Sequence, residues 1–259
     1  MRHHDITRDI IVWIENNKNS NLKISKIAEK AGFSKWYMQK FFKERAEITI
    51  ATYCRLRRLS AAAISLRLTG ASIKEISSNF GFDSPATFAT SFRRQFGITP
   101  AAFRVLNEWP FDKMLPRLDF DLQIEEVKPC IIKEPKWKII TKSDNVNDLN
   151  YLINNDSVNC FYINIEKGKS IYHKNEDVPI NFSLCSSEKE NDKEEEWLSV
   201  SLSSPVTELE KVTKFIYAGL LPTYGIIRRR GPDCIKVNKN DSNEVIITEY
   251  KIPCSRVEF

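Results

Sequence analysis

Residues 24–49 read ISKIAEKAGFSKWYMQKFFKERAEIT and residues 73–99 read IKEISSNFGFDSPATFATSFRRQFGIT, two copies of one pattern. Ile24, Ile27, Gly32 and Phe33 recur as Ile73, Ile76, Gly81 and Phe82 at a constant offset of 49. Met38, Phe42 and Ile48-Thr49 recur as Phe88, Phe92 and Ile98-Thr99 at an offset of 50, so the second copy carries one extra residue in its turn. Each copy is an apolar-periodic segment, a turn at glycine and a second apolar-periodic segment. That is a helix-turn-helix, whose second helix enters the major groove of DNA while the first crosses the backbone. Between the copies, Ile50 to Leu68 contains neither Pro nor Gly and is predicted as one helix. At 1.5 Å per residue it spans ~28 Å. With the width of the attached modules, that holds two reading helices about one DNA turn, ~34 Å, apart.

The flanks agree. Ile6, Ile10, Trp13 and Ile14, with Ile11 beside them, fall at helical spacing between Asp5 and Lys18 and predict a first, packing helix. Helix starts are marked at Ser25 before Lys-Ile-Ala, at Ser34 before Lys-Trp-Tyr, and at Ser72-x-x-Glu75, a capping box. Ser84-Pro85 and Thr99-Pro100 each join a capping side chain to a Pro in the first turn, while Gly32, Gly70, Gly81 and Gly97 mark helix ends. About seven short helices, forming an all-α domain over residues 1–110, follow from these signals.

On the second helix of the first copy, Met38, Phe41 and Phe42 face inward, which leaves Trp36, Gln39, Lys40 and Lys43 as an outward stripe. A Gln and two Lys also describe an ordinary solvated face, but an exposed Trp among cations needs another explanation. Gln39 can bond an adenine edge in two places, Lys40 can donate to guanine O6 and N7, and the Trp36 ring can pack on a thymine methyl. Ser34, Lys35 and Lys43 are placed for phosphates. In the second copy Phe88, Phe92 and Phe96 face inward, and Ala86, Ala89 and Thr90 stand where Trp36, Gln39 and Lys40 stood. Small side chains make no bidentate base contact. Thr87 and Thr90 remain for methyl contacts and weak base readout, with Ser84, Arg93 and Arg94 for phosphates, so specificity is expected to be asymmetric along the site.

Charge is divided in the same way. Residues 1–110 hold 18 Lys plus Arg against 9 Asp plus Glu, a net +9; the remainder holds 21 against 25, a net −4. A basic half joined to a mildly acidic one implies that the first meets a polyanion and the second does not. No run approaches the roughly 18 apolar residues of a membrane span. Met1-Arg-His-His-Asp leads directly into a charged amphipathic stretch rather than an apolar signal core, so a cytoplasmic location is expected. Cys54, Cys130, Cys160, Cys185, Cys234 and Cys254 form no C-x-x-C pair, and His3, His4 and His173 are the only histidines. That supply suits neither a zinc cluster nor a histidine-dependent catalytic site, so reduced thiols, no metal, no cofactor and no enzymatic activity are expected.

Gly32-Phe33-Ser34-Lys35-Trp36-x-x-Gln39, Gly81-Phe82-x-Ser84 and Phe92-Arg93-Arg94-x-Phe96-Gly97-Ile98-Thr99-Pro100-x-x-Phe103-Arg104 resemble the AraC/XylS family of bacterial transcription regulators, in the branch of MarA, SoxS and Rob. The likeness covers about 105 residues. It implies two helix-turn-helix units on a linking helix, binding of an asymmetric promoter site in double-stranded DNA as a monomer, and activation through contact with RNA polymerase. It also implies base readers at Trp36, Gln39 and Lys40, the last a Lys where close relatives carry Arg. In the second helix the family's readers fall on Ala86, Thr87, Ala89 and Thr90, where MarA-like relatives carry Gln and Arg.

After Trp109-Pro110 the pattern changes. Residues 111–116 read as a linker, and residues 117–259 as an α+β domain with strands at Lys136 to Thr141, Val158 to Ile165, Ile180 to Cys185, Trp197 to Leu202 and Val245 to Ile252. Thr207 to Leu221 reads as an amphipathic helix ending before Pro222, and Glu188 to Glu196 as a solvated loop. Asp144 to Asp156 is Asn-rich and barely amphipathic. Phe215-Ile-Tyr and Leu221-Pro-x-Tyr-Gly-x-Ile-Arg228-Arg229-Arg230-Gly231 resemble the GyrI-like effector-binding domain of Rob-type regulators, which implies a pocket for a small amphipathic or cationic molecule. Trp137, Phe161, Tyr162, Trp197, Tyr217 and Tyr224 are the candidates to line it, although strand aromatics are more often core. Three consecutive Arg on a strand point to alternate faces, so Arg228 to Arg230 are expected in a solvated turn. Two other readings of this half are a protein-interaction or shielding domain, and an alkyl-transferring repair enzyme. The second would need an acceptor thiol beside His, and no Cys here is followed by one.

Overall fold

The structure, a computed structural model, describes residues 2–20, 22–145, 159–166 and 181–255. Its described residues fall into two compact units. The first holds residues up to Leu106 together with Lys113–Asp121; the second holds Asn107–Asp112 and the chain from Leu122 onward. The expected linker at 111–116 is therefore divided between the units, the chain passing into the second and returning to the first before leaving it.

In the first unit seven helices follow in order: α1 (Arg2–Asn17), α2 (Ile24–Ala31), α3 (Lys35–Ala46), α4 (Ile50–Leu68), α5 (Ile73–Asn79), α6 (Pro85–Phe96) and α7 (Pro100–Val105). The side chains of Ser34, Thr49, Ser72, Ser84 and Thr99 each accept from the backbone N–H three residues on, closing one orphan donor per helix. At Ser72 the capping box is complete, with Glu75 bonded back to the Ser72 N–H at 2.7 Å. Ser25 starts nothing: α2 begins one residue earlier, behind Lys23, whose side chain makes no capping bond. The first copy packs Ile27, Met38 and Phe42 against Ile10, Ile11 and Ile14 of α1 and Tyr53 of α4. In the second, Phe88, Phe92, Phe96 and Phe103 form a run of ring contacts with centroids 4.4 to 5.4 Å apart.

Beneath these cores lies a buried ionic cluster. Glu15 of α1 accepts from Arg57 Nε at 2.8 Å and from the Tyr53 hydroxyl at 2.7 Å, with Lys18 at 3.6 Å and Arg117 at 3.7 Å. Burial alone would raise its carboxyl. Arg57, Lys18 and Arg117 outweigh that and hold it at about 2. The returning segment completes the cluster: Arg57 also donates to the Leu115 carbonyl, Leu115 N–H to Ser60 Oγ at 2.9 Å, and Leu115 and Leu118 pack on the apolar core.

The second unit is built on an antiparallel sheet, after a short helix, α8 (Asp121–Glu126). Its strands are β1 (Trp109–Pro110), β2 (Cys130–Asn145), β3 (Asn159–Glu166), β4 (Asn181–Pro205), β5 (Ile227–Arg228), β6 (Asp233–Lys239) and β7 (Val245–Ser255), in the order β1-β5-β7-β6-β3-β4-β2. A further pairing, β7 with β4, closes a ring of strands, because residues 181–185 of β4 pair with β3 and residues 197–205 with β7. One helix, α9 (Leu209–Phe215), passes through a π-helical turn at Ile216–Leu220 into a last turn at Leu221–Thr223, burying Leu209, Val212, Ile216 and Leu220.

Three expectations are corrected here. Glu188 to Glu196 is strand rather than loop, because β4 runs unbroken through it and pairs Glu194–Glu196 with Lys133–Pro135 of β2. The helical run does not stop before Pro222: it continues from the π-helical turn at Ile216–Leu220 through Leu221–Thr223, with Leu220 and Leu221 both in the right-handed helical region. Arg228 is buried rather than solvated, and Arg229 is half-buried with Nε on the Cys254 carbonyl at 2.7 Å; only Arg230 is exposed. Most of Asp144 to Asp156 lies outside the described residues, as does Val158.

Candidate nucleic-acid interface

Ser34 caps α3 through its oxygen lone pair, accepting from the Tyr37 N–H at 3.1 Å, and so fixes the direction in which α3 leaves the turn. The turn itself needs Gly32, at φ 69°, whose N–H closes on the Ala28 and Glu29 carbonyls. With Met38 and Phe42 buried, α3 presents Lys35, Trp36, Gln39, Lys40 and Lys43 to solvent, as the spacing predicts. Trp36 is 69% exposed, against the rule for so large an apolar ring. Lys40 Nζ stands 5.5 Å from the Trp36 ring centre and 3.9 Å from the Glu44 carboxylate, both contacts at the surface.

In the second copy Ser84 accepts from the Thr87 N–H at 3.1 Å and lies 3.0 Å from the Thr87 hydroxyl. Phe88, Phe92 and Phe96 are buried, and α6 exposes Ala86, Thr87, Thr90, Arg93 and Arg94, with Ala89 half-exposed. No long planar side chain stands on this face at the positions of Trp36, Gln39 and Lys40. Gly81 shares the conformation of Gly32, with φ 67°, but a Cβ there would meet the Asn19 carbonyl oxygen at 2.0 Å. Arg58 of α4 braces the same turn, donating to the Gly81 carbonyl at 2.9 Å and lying 5.1 Å from the Phe82 ring centre.

One cation at this face is absent from the sequence reading. Arg55 of α4 is half-buried, and its guanidinium is held below its ordinary value by burial and by the like charge of Arg94 on α6. Two guanidinium groups that raise each other's electrostatic cost are relieved by an anion between or beside them. Arg55, Arg57 and Arg58 read alike in sequence. Only packing sends Arg57 inward to Glu15, Arg58 to Gly81, and Arg55 toward Arg94.

Of the residues expected to line a pocket in the second unit, Trp197 and Tyr217 are buried, while Tyr162 and Tyr224 are half-buried. The Trp137 and Phe161 side chains lie outside the described residues. A cavity of about 360 Å³ in this unit is lined instead by Val206, Thr207, Lys239, Asn243, Glu244 and Val245, none of them among the six. The Tyr217 hydroxyl is engaged by Asp233 at 2.8 Å and by Arg228 at 2.7 Å. Among the described residues, Cys54, Cys130, Cys234 and Cys254 are free thiols, no group of three or more His, Cys, Asp or Glu is placed to hold a metal ion, and no helix is long and apolar enough to cross a membrane.

Comparison with known proteins places these features in a context. Residues 27–105 match a family described as a helix-turn-helix domain. The F1 operon positive regulatory protein of Yersinia pestis is 30% identical over 277 aligned positions, covering 96% of this chain and 89% of that protein. The regulatory protein SoxS of Escherichia coli K12 is 41% identical over 104 residues, 40% of this chain and 97% of SoxS. The transcriptional regulator Rob of Salmonella typhimurium is 42% identical over 104 residues, 40% of this chain but only 36% of Rob.

Proposed function

The chain belongs to the AraC/XylS family of DNA-binding transcription regulators, in the branch of MarA, SoxS and Rob, and from that premise we propose that it activates transcription by binding an asymmetric promoter site as a monomer, reading bases with α3 and holding phosphates with α6. The observation that carries this reading is the contrast between the two exposed faces: Trp36, Gln39 and Lys40 on one, Ala86, Ala89 and Thr90 on the other. Gln39 is a bidentate partner for adenine and Lys40 a donor to guanine. A Lys lacks the planar fork of Arg, so discrimination at its base pair is looser. Ser34, Lys35, Lys43, Ser84, Arg93 and Arg94, joined by Arg55, supply the salt-dependent grip. The activating role draws support from the word positive in the name of the Yersinia relative. RNA polymerase is the partner such a role requires, in the cytoplasm of a bacterium.

The test selects duplexes from a random pool with the full chain, then measures affinity against salt for the wild type, Gln39→Ala and Thr90→Ala. One sharp half-site beside a poorly specified one is expected. Gln39→Ala then loses about 1–3 kcal/mol of base discrimination, the worth of a bidentate contact, and Thr90→Ala hardly changes it. A pool with no sequence preference and only a steep salt slope would make this a backbone binder and sink the proposal.

For the second unit two readings stand. One is a domain of GyrI-like type that senses a small amphipathic or cationic molecule; the other is a shielding or protein-binding domain. The second is favoured by the burial of Trp197 and Tyr217, whose surfaces the sensor would need. Thermal stabilisation of the full chain by amphipathic cations decides between them, since a ligand that binds only the folded state raises its stability.

A further inference from the structure

Within the second unit one guanidinium is enclosed on every side. Arg228 Nε donates to the Tyr217 hydroxyl at 2.7 Å, Nη1 to the Arg229 carbonyl at 2.7 Å, and Nη2 both to the Gly231 carbonyl at 2.9 Å and to Asp233 Oδ1 at 2.8 Å. Asp233 Oδ2 accepts from the Tyr217 hydroxyl at 2.8 Å and the Tyr250 hydroxyl at 2.7 Å. The guanidinium carbon lies 5.0 Å from the Trp109 ring centre and 5.8 Å from that of Tyr217. Arg228, Asp233, Tyr217, Tyr250 and Trp109 are all buried. A carboxylate, acceptors spread around a planar fork, and aromatic rings within cation–π range make up the recognition set for a planar cation.

We infer that the Asp233 cluster is a binding site for a monosubstituted guanidinium group, occupied in the resting chain by its own Arg228. The inference does not depend on whether the second unit senses an effector, since it rests on the geometry about Asp233 alone. Selectivity follows from the donors. An ammonium has three N–H groups and no plane, so it cannot satisfy the Tyr217 oxygen, two carbonyls and the carboxylate together, and each buried acceptor left unmet is costly. The occupant is carried on β5, whose Ile227 and Arg228 pair with Pro110 and Trp109 of β1 and with Ser255 and Cys254 of β7. Filling the site and seating β1 are therefore one state. A free guanidino compound, or an arginine side chain of another peptide, enters only by displacing Arg228.

The test is chemical rescue. The full chain carrying Arg228→Ala is melted in methylguanidinium chloride, methylammonium chloride and sodium chloride at equal millimolar concentration, with tryptophan emission as a second readout. The variant is expected to melt several degrees lower (~4 °C or more for a loss of this kind in a domain of this size), to recover saturably in methylguanidinium, and to recover in neither other salt. The wild type, already occupied, should not respond. An equal response to all three salts, or the same methylguanidinium response in wild type and variant, would overturn the inference. Should Arg228→Ala not fold, its refolding yield with methylguanidinium against methylammonium takes the place of the melt, equal yields being the contrary result. A neutral pair, Arg228→Met with Asp233→Asn, serves as the control that must lose the response; if it keeps it, the cation binds elsewhere and the assignment fails.

Discussion

Gly32 and Gly81 stand at the same place in the two copies with nearly the same φ, 69° and 67°, yet they answer to different constraints. At Gly32 nothing lies within 4 Å of a built Cβ, so Gly32→Ala costs only the left-handed backbone, about 1–2 kcal/mol. At Gly81 the same methyl collides with the Asn19 backbone, so Gly81→Ala should cost more than Gly32→Ala by on the order of 2 kcal/mol or above. Denaturant midpoints followed by helical circular dichroism will rank the two; equal losses would mean that Asn19 yields freely. Glu15 sets the acid limit of the same unit. Its carboxyl lies at about 2 in the folded chain against 4.5 unperturbed, so its contribution is complete above about pH 4.5 and is lost as pH falls toward 2. That shift corresponds to ~3 kcal/mol. Glu15→Gln should be strongly destabilising at pH 7, where it strands the buried Arg57, and nearly silent at pH 2; a pH-independent penalty would show that the charge is not what matters.

At the scale of elements, α3 and α6 are the same helix in two dressings. Both are capped by Ser and both carry cations toward solvent; α3 buries Met38 and Phe42 with Phe41 only half-buried, and α6 buries Phe88, Phe92 and Phe96. Inward, Met38 is exchanged for the equally buried Phe88; the outward positions, which packing does not constrain, differ more, and that is where a recognition function is free to vary. Removal of Arg94 should lower the salt slope of DNA binding by about one and leave base preference intact, in contrast to Gln39→Ala. Caps, glycine turns and the uninterrupted run of α4 were legible because each is a local signal within a few residues. β6 was not. Asp233–Lys239 is short and has no aromatic residue, so its brief alternation of Ile235 and Val237 with Lys236 and Asn238 was passed over; β3 and β7 pair with it on both sides. β4 was read in two pieces because Glu188 to Glu196 resembles a loop by charge, yet Glu188, Lys189 and Glu194–Glu196 pair with β2 on either side of a register shift.

Over the whole molecule the two units interleave in sequence. The chain leaves the helical unit at Leu106, forms β1 in the second, returns for residues 113–121, and leaves again. The returning segment brings Arg117 to Glu15, the Leu115 carbonyl to Arg57 and the Leu115 N–H to Ser60, so the helical unit is chemically complete only at about residue 121. A fragment of residues 1–121 should accordingly be more stable than one of residues 1–110, by on the order of 3 kcal/mol for the lost bonds and the uncovered Leu115 and Leu118 sites. Equal urea midpoints for the two fragments would show that the segment is carried passively.

The sequence by itself determined the double helix-turn-helix, most of its caps, its glycine turns, and which face of α3 is exposed, because these follow from period, offset and local hydrogen-bond chemistry. Only the tertiary structure decided which of several like residues is buried: Arg57 rather than Arg55 or Arg58, and Arg228 rather than Arg230. A cation's place depends on where a carboxylate distant in the chain comes to rest, Glu15 in one unit and Asp233 in the other, and that separation is set by packing rather than by spacing along the chain.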